Sequence, residues 1–245
     1  MRAMGEKPRV GIFSMSSCEG CLVQVLNLED KILDIVGSVE LVDCRLLGVK
    51  KSYDELDIAV VEGAVMSDEE ERELREIREK SKILVALGDC ACYGGRFLFK
   101  DFKFEGAPVD LPRGIKSFRA DPLDKYVKVD YYVYGCPIDG SDFLRLFKEL
   151  LMGKEYRPAP FNVCAECILR ENECLLDKGI PCLGPITRGG CGAVCPTFSR
   201  RCIGCRGLAE DANIDSLIEI FTKRGIEVPE YLWELKERIG GGRRG

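Results

Sequence analysis

The sequence RVGIFSMSSCEGC, residues 9–21, joins an apolar run to a closely spaced pair of cysteines. Residues 9–15 have the length and composition of a buried strand, and apolar residues follow at roughly helical spacing over 20–36. Cys18 and Cys21 therefore fall just after the strand, near the start of the predicted helix. In open α/β sheets, ligands bind outside the carboxyl ends of the strands, so this position predicts a ligand site.

The order of strand and helix continues along the first half of the chain. Apolar runs predict further strands at 39–47, 58–65, 82–90 and 131–137, and amphipathic patterns predict helices at 67–80 and 140–152. Ser67 or Asp68 can cap the first of these two helices. Strands that alternate with helices predict an α/β fold with a parallel sheet, and we expect it to be flavodoxin-like.

The character of the sequence changes at about residue 156. Gly, Pro and Cys crowd residues 158–207, and the apolar periodicity fades until helical patterning returns over 212–239. We therefore divide the chain into a flavodoxin-like domain, residues 1–155, and a small irregular cysteine-rich domain, residues 156–245. Because the cysteine-rich stretch has little pattern of a core, we expect bound metal to contribute to its folding free energy.

Composition and charge narrow the classes of function. The net charge of −5 argues against a nucleic-acid partner. RFLFKDFKF, residues 96–104, interleaves aromatic and basic side chains, but we interpret it as a strand with one apolar face or a partner-facing loop. No apolar run is long enough to cross a membrane, and no signal peptide is recognisable. We therefore expect a cytoplasmic chain with neither a nucleic-acid nor a membrane partner.

The cysteine and histidine contents are the outlying features of the composition. The chain has 245 residues with 14 cysteines and no histidine. Disulfides are rare in reducing compartments, and the lack of histidine excludes mixed Cys/His zinc sites and histidine acid–base chemistry. There is also no phosphate loop and no GxGxxG after the first strand. All-thiolate metal sites remain, and we assign no catalytic residue to this chain.

Four cysteines of the first half lie at or near the carboxyl ends of predicted strands. They are Cys18, Cys21, Cys90 and Cys136. Because these strand ends meet at one edge of a parallel sheet, the four thiols can converge on one cofactor. Glu62 ends another strand there, either near the site or as a capping carboxylate. Cys44 is interpreted as a small hydrophobic residue in a strand, and Cys92 is left out of the ligand set.

Eight further cysteines divide by sequence order into two groups of four. The first group is Cys164, Cys167, Cys174 and Cys182, and the second is Cys191, Cys195, Cys202 and Cys205. Four thiolates can hold either zinc or a [4Fe–4S] cluster. The two Cys-x-x-Cys pairs could instead form one zinc ribbon, which would leave four cysteines without a site. Pro137 and Pro196, which follow Cys136 and Cys195, favour iron–sulfur because ferredoxin motifs contain Cys-Pro.

Three clusters without a reaction centre predict an electron relay that docks against a catalytic subunit and an electron acceptor. Two alternatives stay open: a zinc-stabilised binding module without redox activity, and a dithiol exchanger that uses Cys18 and Cys21. Arg200, Arg201 and Arg206 either offset the negative charge of a thiolate-ligated cluster or form a solvated or partner-facing group.

Six motifs in combination resemble the small subunit of [NiFe] hydrogenases. They are SSCEGC (16–21), VVEGAV (60–65), GDCACYGG (88–95), VYGCP (133–137), CLGPITRGGC (182–191) and CIGCRG (202–207). The resemblance implies that the first cysteine set binds a proximal [4Fe–4S] cluster beside the nickel–iron site of a large subunit. It also implies a distal [4Fe–4S] cluster on the set from Cys164 to Cys182 and a medial one on the set from Cys191 to Cys205.

Two departures from the family pattern indicate a branch. Membrane-linked members use a histidine as one ligand of the distal cluster, and this chain has Cys164 in that place. Those members also bind the medial cluster with three cysteines, whereas Cys195 supplies a fourth here. The sequence is similar to the cytoplasmic branch, and most similar there to the delta subunit of archaeal sulfhydrogenases. This implies iron–sulfur and flavin subunits that reduce NAD(P) in a heterotetramer, with sulfur or polysulfide reduction as a further activity. The gamma subunit of F420-reducing or viologen-reducing hydrogenases is the alternative.

Overall fold

The computed structural model describes residues 7–95, 120–229, 232–233 and 236. The stretch RFLFKDFKF therefore lies outside the described residues, as does most of the predicted helical region beyond residue 229. The chain divides into two compact units, Met1–Tyr156 and Arg157–Gly245.

The first unit is built on a six-stranded sheet with the order β3-β2-β1-β4-β5-β6. The strands are β1 (Arg9–Ser14), β2 (Glu40–Cys44), β3 (Val49–Lys50), β4 (Leu56–Glu62), β5 (Ser81–Leu87) and β6 (Tyr131–Val133). Neighbouring strands pair in parallel except the short edge strand β3, which is antiparallel to β2. The five parallel strands have the flavodoxin-like order, so the predicted fold class is confirmed.

Helices cover both faces of this sheet. They are α1 (Gly20–Leu26), α2 (Asp30–Ser38), α3 (Asp68–Lys80), α4 (Gly88–Tyr93) and α5 (Gly140–Leu151). Val60 of β4 packs with side chains of α1 and α5, while its neighbour Val61 packs on the opposite face with α3 and α4. Successive side chains of a strand point to opposite faces, so a continuous apolar run marks a strand buried on both sides.

Several predicted boundaries were wrong. The helix expected over 20–36 is two helices, because the chain turns before α2 and Glu29 adopts a φ of 52°. The strand expected over 82–90 ends at Leu87, so Cys90 lies in α4 rather than at a strand end. The strand expected over 131–137 likewise ends early, and Cys136 lies in the turn that follows. Apolar composition does not mark where the backbone leaves the sheet.

The N-cap residue of helix α3 is Ser67, one of the two predicted caps. The Ser67 hydroxyl oxygen accepts the N–H of Glu70 at 3.2 Å, and the Glu70 carboxylate accepts the N–H of Ser67 at 3.1 Å. This reciprocal pair is a capping box. The Ser16 hydroxyl also donates to the Glu70 carboxylate, at 2.8 Å. Glu70 therefore ties the start of α3 to the loop that carries Cys18.

Replacing Glu70 by alanine is expected to loosen both α3 and this cysteine loop. Losing a helix cap costs about 1 kcal/mol, which corresponds to roughly fivefold faster amide exchange at the helix start. Hydrogen–deuterium exchange of the α3 amides and of residues 15–19 measures the effect. Glu71→Ala is the control, because Glu71 lies on the same helix turn and pairs with Arg75 at 3.0 Å on an exposed surface. Equal exchange in the two variants would contradict the role given to Glu70.

The second unit has a hydrophobic core. Its helices are α6 (Val163–Leu169), α7 (Val194–Thr197) and α8 (Ile214–Lys223). Leu217 and Phe221 of α8 are buried and pack in one cluster with Val163, Leu183 and Ile186. The cysteine-rich stretch therefore does not form this core alone, because α8 lies beyond it in the sequence, and the contribution of bound metal to folding stays a prediction. Within the described part of the chain, no helix combines the length and hydropathy needed to span a membrane.

Candidate metal centres

The loop after β1 holds the first cysteine pair and is fixed to the neighbouring strand β4. The N–H of Met15 donates to the Glu62 carbonyl at 2.7 Å, and the N–H of Ala64 donates to the Ser16 carbonyl at 3.0 Å. Cys18 is exposed in this loop, and Cys21 is buried in the first turn of α1. Two backbone hydrogen bonds therefore hold the residues just before Cys18 against the end of β4.

Glu62 is buried at the end of β4, with 2% of its surface exposed. Its two carboxylate oxygens accept the N–H groups of Cys21 and Leu22, each at 3.1 Å. Burial raises the pKa of this carboxyl group, and the two backbone donors counteract part of that rise. The two interpretations of Glu62 thus coincide, because a carboxylate that caps α1 also lies beside Cys21.

The loops that carry Cys90 and Cys136 meet the first pair. The N–H of Asp89 donates to the Gly135 carbonyl at 2.9 Å, which joins the start of α4 to the turn after β6. A β-carbon at Gly88 would lie 2.4 Å from the Cys21 sulfur. The junctions after β1, β5 and β6 therefore approach one another closely. Glycine at position 88 allows this approach because it has no side chain.

The thiols of this set interact electrostatically. Burial and, to a smaller extent, the charges of Asp89, Cys136 and Cys18 together raise the pKa of the Cys90 thiol to about 12. Burial also raises the pKa of Cys21, and the charges of Cys90 and Cys136 contribute to this rise. The structure thus brings Cys18, Cys21, Cys90 and Cys136 into one neighbourhood, and a metal group bound there would displace their protons.

A second group of four thiols gathers in the second unit. Burial and, to a smaller extent, the charges of Cys182, Cys167 and Cys174 together raise the pKa of Cys164 to about 12. A β-carbon at Gly184 would lie 3.2 Å from the Cys164 sulfur and 3.7 Å from that of Cys182. In this group, as in the first, a glycine therefore lies directly against cysteine sulfur.

The remaining four cysteines lie on two adjoining segments. Burial, with smaller contributions from the charges of Cys182 and Cys205, raises the pKa of Cys202 to about 12. Cys195 lies in α7, and Cys191 precedes that helix by three residues. The N–H of Cys202 donates to the Cys182 sulfur at 3.3 Å, so this set adjoins the second one.

Two polar side chains at these thiols were missed from the sequence. The Glu166 carboxylate accepts the N–H of Gly190 at 2.9 Å and lies 3.9 Å from the Cys191 sulfur. The Asn172 amide donates to the Cys167 sulfur at 3.6 Å. Glu166 is the one charged residue of the stretch VCAECIL and Asn172 lies in the polar stretch RENE, and nothing in their spacing indicates that they face a thiol.

Four thiolates can hold either one zinc ion or a four-iron cluster, in which each iron binds its own cysteine. Among the residues that the structure describes, no three cysteine or acidic side chains form a group that could hold a single metal ion.

The cysteines left out of the three sets lie in the hydrophobic core of the first unit. Cys44 is buried at the end of β2. Cys92 is buried in α4, and its thiol lies 3.7 Å from the Ala86 carbonyl and 3.8 Å from that of Val133. These backbone acceptors take the weak S–H donor of Cys92, which suits a structural thiol.

A flavodoxin-like sheet with four gathered thiols, together with a second unit that holds eight more, defines an iron–sulfur electron-transfer subunit. A family model described as NADH ubiquinone oxidoreductase, 20 Kd subunit, matches residues 18–150. The Sulfhydrogenase 2 subunit delta of Pyrococcus furiosus is 35% identical over 221 residues, covering 86% of this chain and 91% of the relative.

Two further comparisons agree with this class. A subunit of the F420-non-reducing hydrogenase of Methanocaldococcus jannaschii is 30% identical over 262 residues, covering 91% of each chain. A chain in the structure of an NAD+-reducing [NiFe]-hydrogenase is 28% identical with a TM-score of 0.51, covering 63% of this chain and 97% of that one. The chain therefore belongs to the NADH ubiquinone oxidoreductase 20 Kd family and, within it, to the small subunits of [NiFe] hydrogenases. It is an electron-transfer subunit of an oxidoreductase that acts on hydrogen, and the nickel site belongs to a large partner subunit.

Proposed function

We propose that this chain relays single electrons by means of three [4Fe–4S] clusters, each held by four of its cysteines. The proximal set is Cys18, Cys21, Cys90 and Cys136; the distal set is Cys164, Cys167, Cys174 and Cys182; the medial set is Cys191, Cys195, Cys202 and Cys205. A [4Fe–4S] cluster supplies a one-electron carrier whose potential depends on burial, charge and hydrogen bonds to sulfur.

The observation that carries the proposal is the convergence of Cys18, Cys21, Cys90 and Cys136. These four thiols come from three separate strand–helix junctions, yet Cys90 and Cys136 act on the pKa of Cys21, and Cys18 and Cys136 act on that of Cys90. A dithiol exchanger that uses Cys18 and Cys21 needs no contribution from the other two junctions. The residues of this chain then bind and orient the clusters, while the chemistry of hydrogen falls to the large subunit.

The second part of the proposal is the identity of the electron acceptor. We propose that electrons pass between hydrogen and an NAD(P)-reducing module of iron–sulfur and flavin subunits, in a heterotetramer that also reduces sulfur or polysulfide. Support comes from two relatives, one of which is named a sulfhydrogenase and the other an NAD-reducing hydrogenase. The second candidate is an F420-non-reducing hydrogenase, favoured by the relative that covers 91% of this chain. A cytoplasmic location stays a prediction from the sequence.

Analysis of iron, acid-labile sulfide and zinc in anaerobically purified complex tests the cluster proposal. Three four-iron clusters require about twelve irons and twelve sulfides per copy of this chain. About eight irons would contradict the number of clusters, and one or two zincs without sulfide would contradict the relay. Hydrogen-dependent reduction of NAD+, NADP+, polysulfide and a viologen dye by the same complex then distinguishes the acceptors. Reduction of the dye alone would favour the second candidate.

A further inference from the structure

Arg206 is a buried cation in the cysteine-rich unit. Only 2% of its surface is exposed, and it directly follows Cys205. Its Nε donates to the Gly189 carbonyl at 2.8 Å. The three arginines that the sequence grouped together thus differ, because Arg200 and Arg201 are exposed. The alternative of a solvated or partner-facing group is therefore wrong for Arg206.

The guanidinium group of Arg206 is fixed against the segment that leads to Cys191. A β-carbon at Gly190 would lie 2.6 Å from Nη2 and 3.2 Å from Cζ of Arg206. Gly190 also has a φ of 104°, a conformation that L side chains rarely adopt. Only glycine at position 190 therefore lets the guanidinium group lie against this backbone. Arg206 directly follows Cys205, and Gly190 directly precedes Cys191.

Arg206 and Glu166 place opposite charges beside the segment that carries Cys191. The Glu166 carboxylate lies 3.9 Å from the Cys191 sulfur and accepts the N–H of Gly190 at 2.9 Å, while the Arg206 guanidinium packs against the same glycine. A positive charge there favours added electrons on a cluster bound to Cys191, and a negative charge opposes them. Fixed charges act strongly in a buried site, because the effective dielectric there is far below that of water.

We propose that Arg206 is a positioning residue that holds a fixed positive charge beside the Cys191 set and raises the reduction potential of the cluster bound there. This inference rests on the proposed function, since it needs the medial set to hold a cluster. Reduction adds one negative charge to the cluster, so a nearby cation stabilises the reduced form more than the oxidised one. Without Arg206, electrons would enter the medial cluster only at a lower potential.

Redox titration of the hydrogenase complex, followed by electron paramagnetic resonance, tests the inference. Arg206→Gln removes the charge and keeps an N–H donor for the Gly189 carbonyl, and it is expected to lower one of three midpoint potentials. Arg206→Lys keeps the charge and should leave that potential near the native value. Arg201→Gln is the matched control, because Arg201 adjoins Cys202 but is exposed, where water and salt screen its charge.

The outcomes separate this inference from the function on which it rests. Twelve irons per chain with an unchanged potential in Arg206→Gln, or an equal shift in Arg201→Gln, would overturn the role of Arg206. Fewer irons in the native complex would count against the medial cluster itself. If Arg206→Gln does not assemble, Glu166→Gln removes the opposing charge and should raise the same potential. No rise in that variant would also overturn the proposal.

Discussion

Replacing Cys90 by alanine is expected to remove the proximal cluster and abolish electron transfer to the rest of the chain. The complex should lose about four of twelve irons, and hydrogen-dependent dye reduction should fall by at least about 100-fold. The physical reason is that the Cys90 thiol shares its neighbourhood with Cys18, Cys21 and Cys136. Three thiols leave one iron of the cluster without a protein ligand. Iron analysis and a hydrogen-uptake assay on the anaerobic complex measure both effects.

Cys92→Ala is the matched control for this variant. Cys92 lies two residues further along the same helix, but it is buried in the core and its thiol lies near backbone carbonyls. Its loss creates a small cavity, with a cost of about 1 kcal/mol, and should leave the iron content unchanged. If Cys92→Ala loses iron and Cys90→Ala does not, the assignment of ligands around α4 is wrong.

Replacing Gly88 by alanine is expected to have an effect of similar size although it replaces no ligand. The added β-carbon would lie 2.4 Å from the Cys21 sulfur, and Gly88 has a φ of 83°. The strained backbone alone costs about 1–2 kcal/mol. The steric clash must in addition move either α4 or the Cys21 thiol. We expect loss of about four irons and a lower melting temperature, measured on the purified complex.

Gly153→Ala separates the clash from the backbone strain. Gly153 has a φ of 68°, but a β-carbon there meets nothing within 4 Å. This control should lower stability by the backbone cost alone and keep all of the iron. Equal iron loss in both variants would show that strain, rather than contact with Cys21, decides cluster binding.

Much of the fold could be predicted from the sequence because its strands are buried on both faces. β4 and β5 are runs of apolar residues, and such runs between amphipathic helices are typical of parallel sheets. The boundaries could not be predicted, since the turns depend on single backbone conformations such as those of Glu29 and Gly88. The edge strand β3 was missed because two residues carry no detectable period.

The cysteine sets could be predicted by residue type and strand position, but their surroundings could not. Glu70, Glu166 and Asn172 carry no motif that marks them, and only the folded chain turns them toward a cysteine loop or a thiol. The burial of Arg206 is equally hidden, because Arg200 and Arg201 precede it in the same segment and remain exposed.

The three junctions that meet at Gly88 also constrain the order in which the protein can mature. Cys18 and Cys136 lie at opposite ends of the sheet's sequence, so bringing them together carries more loop-closure entropy than bringing together cysteines on one short stretch, such as Cys164 to Cys182. With the proposed proximal cluster on this site, we expect the sheet to form before the cluster is inserted. Insertion of that cluster is then expected to be a late step of biogenesis that depends on a folded sheet.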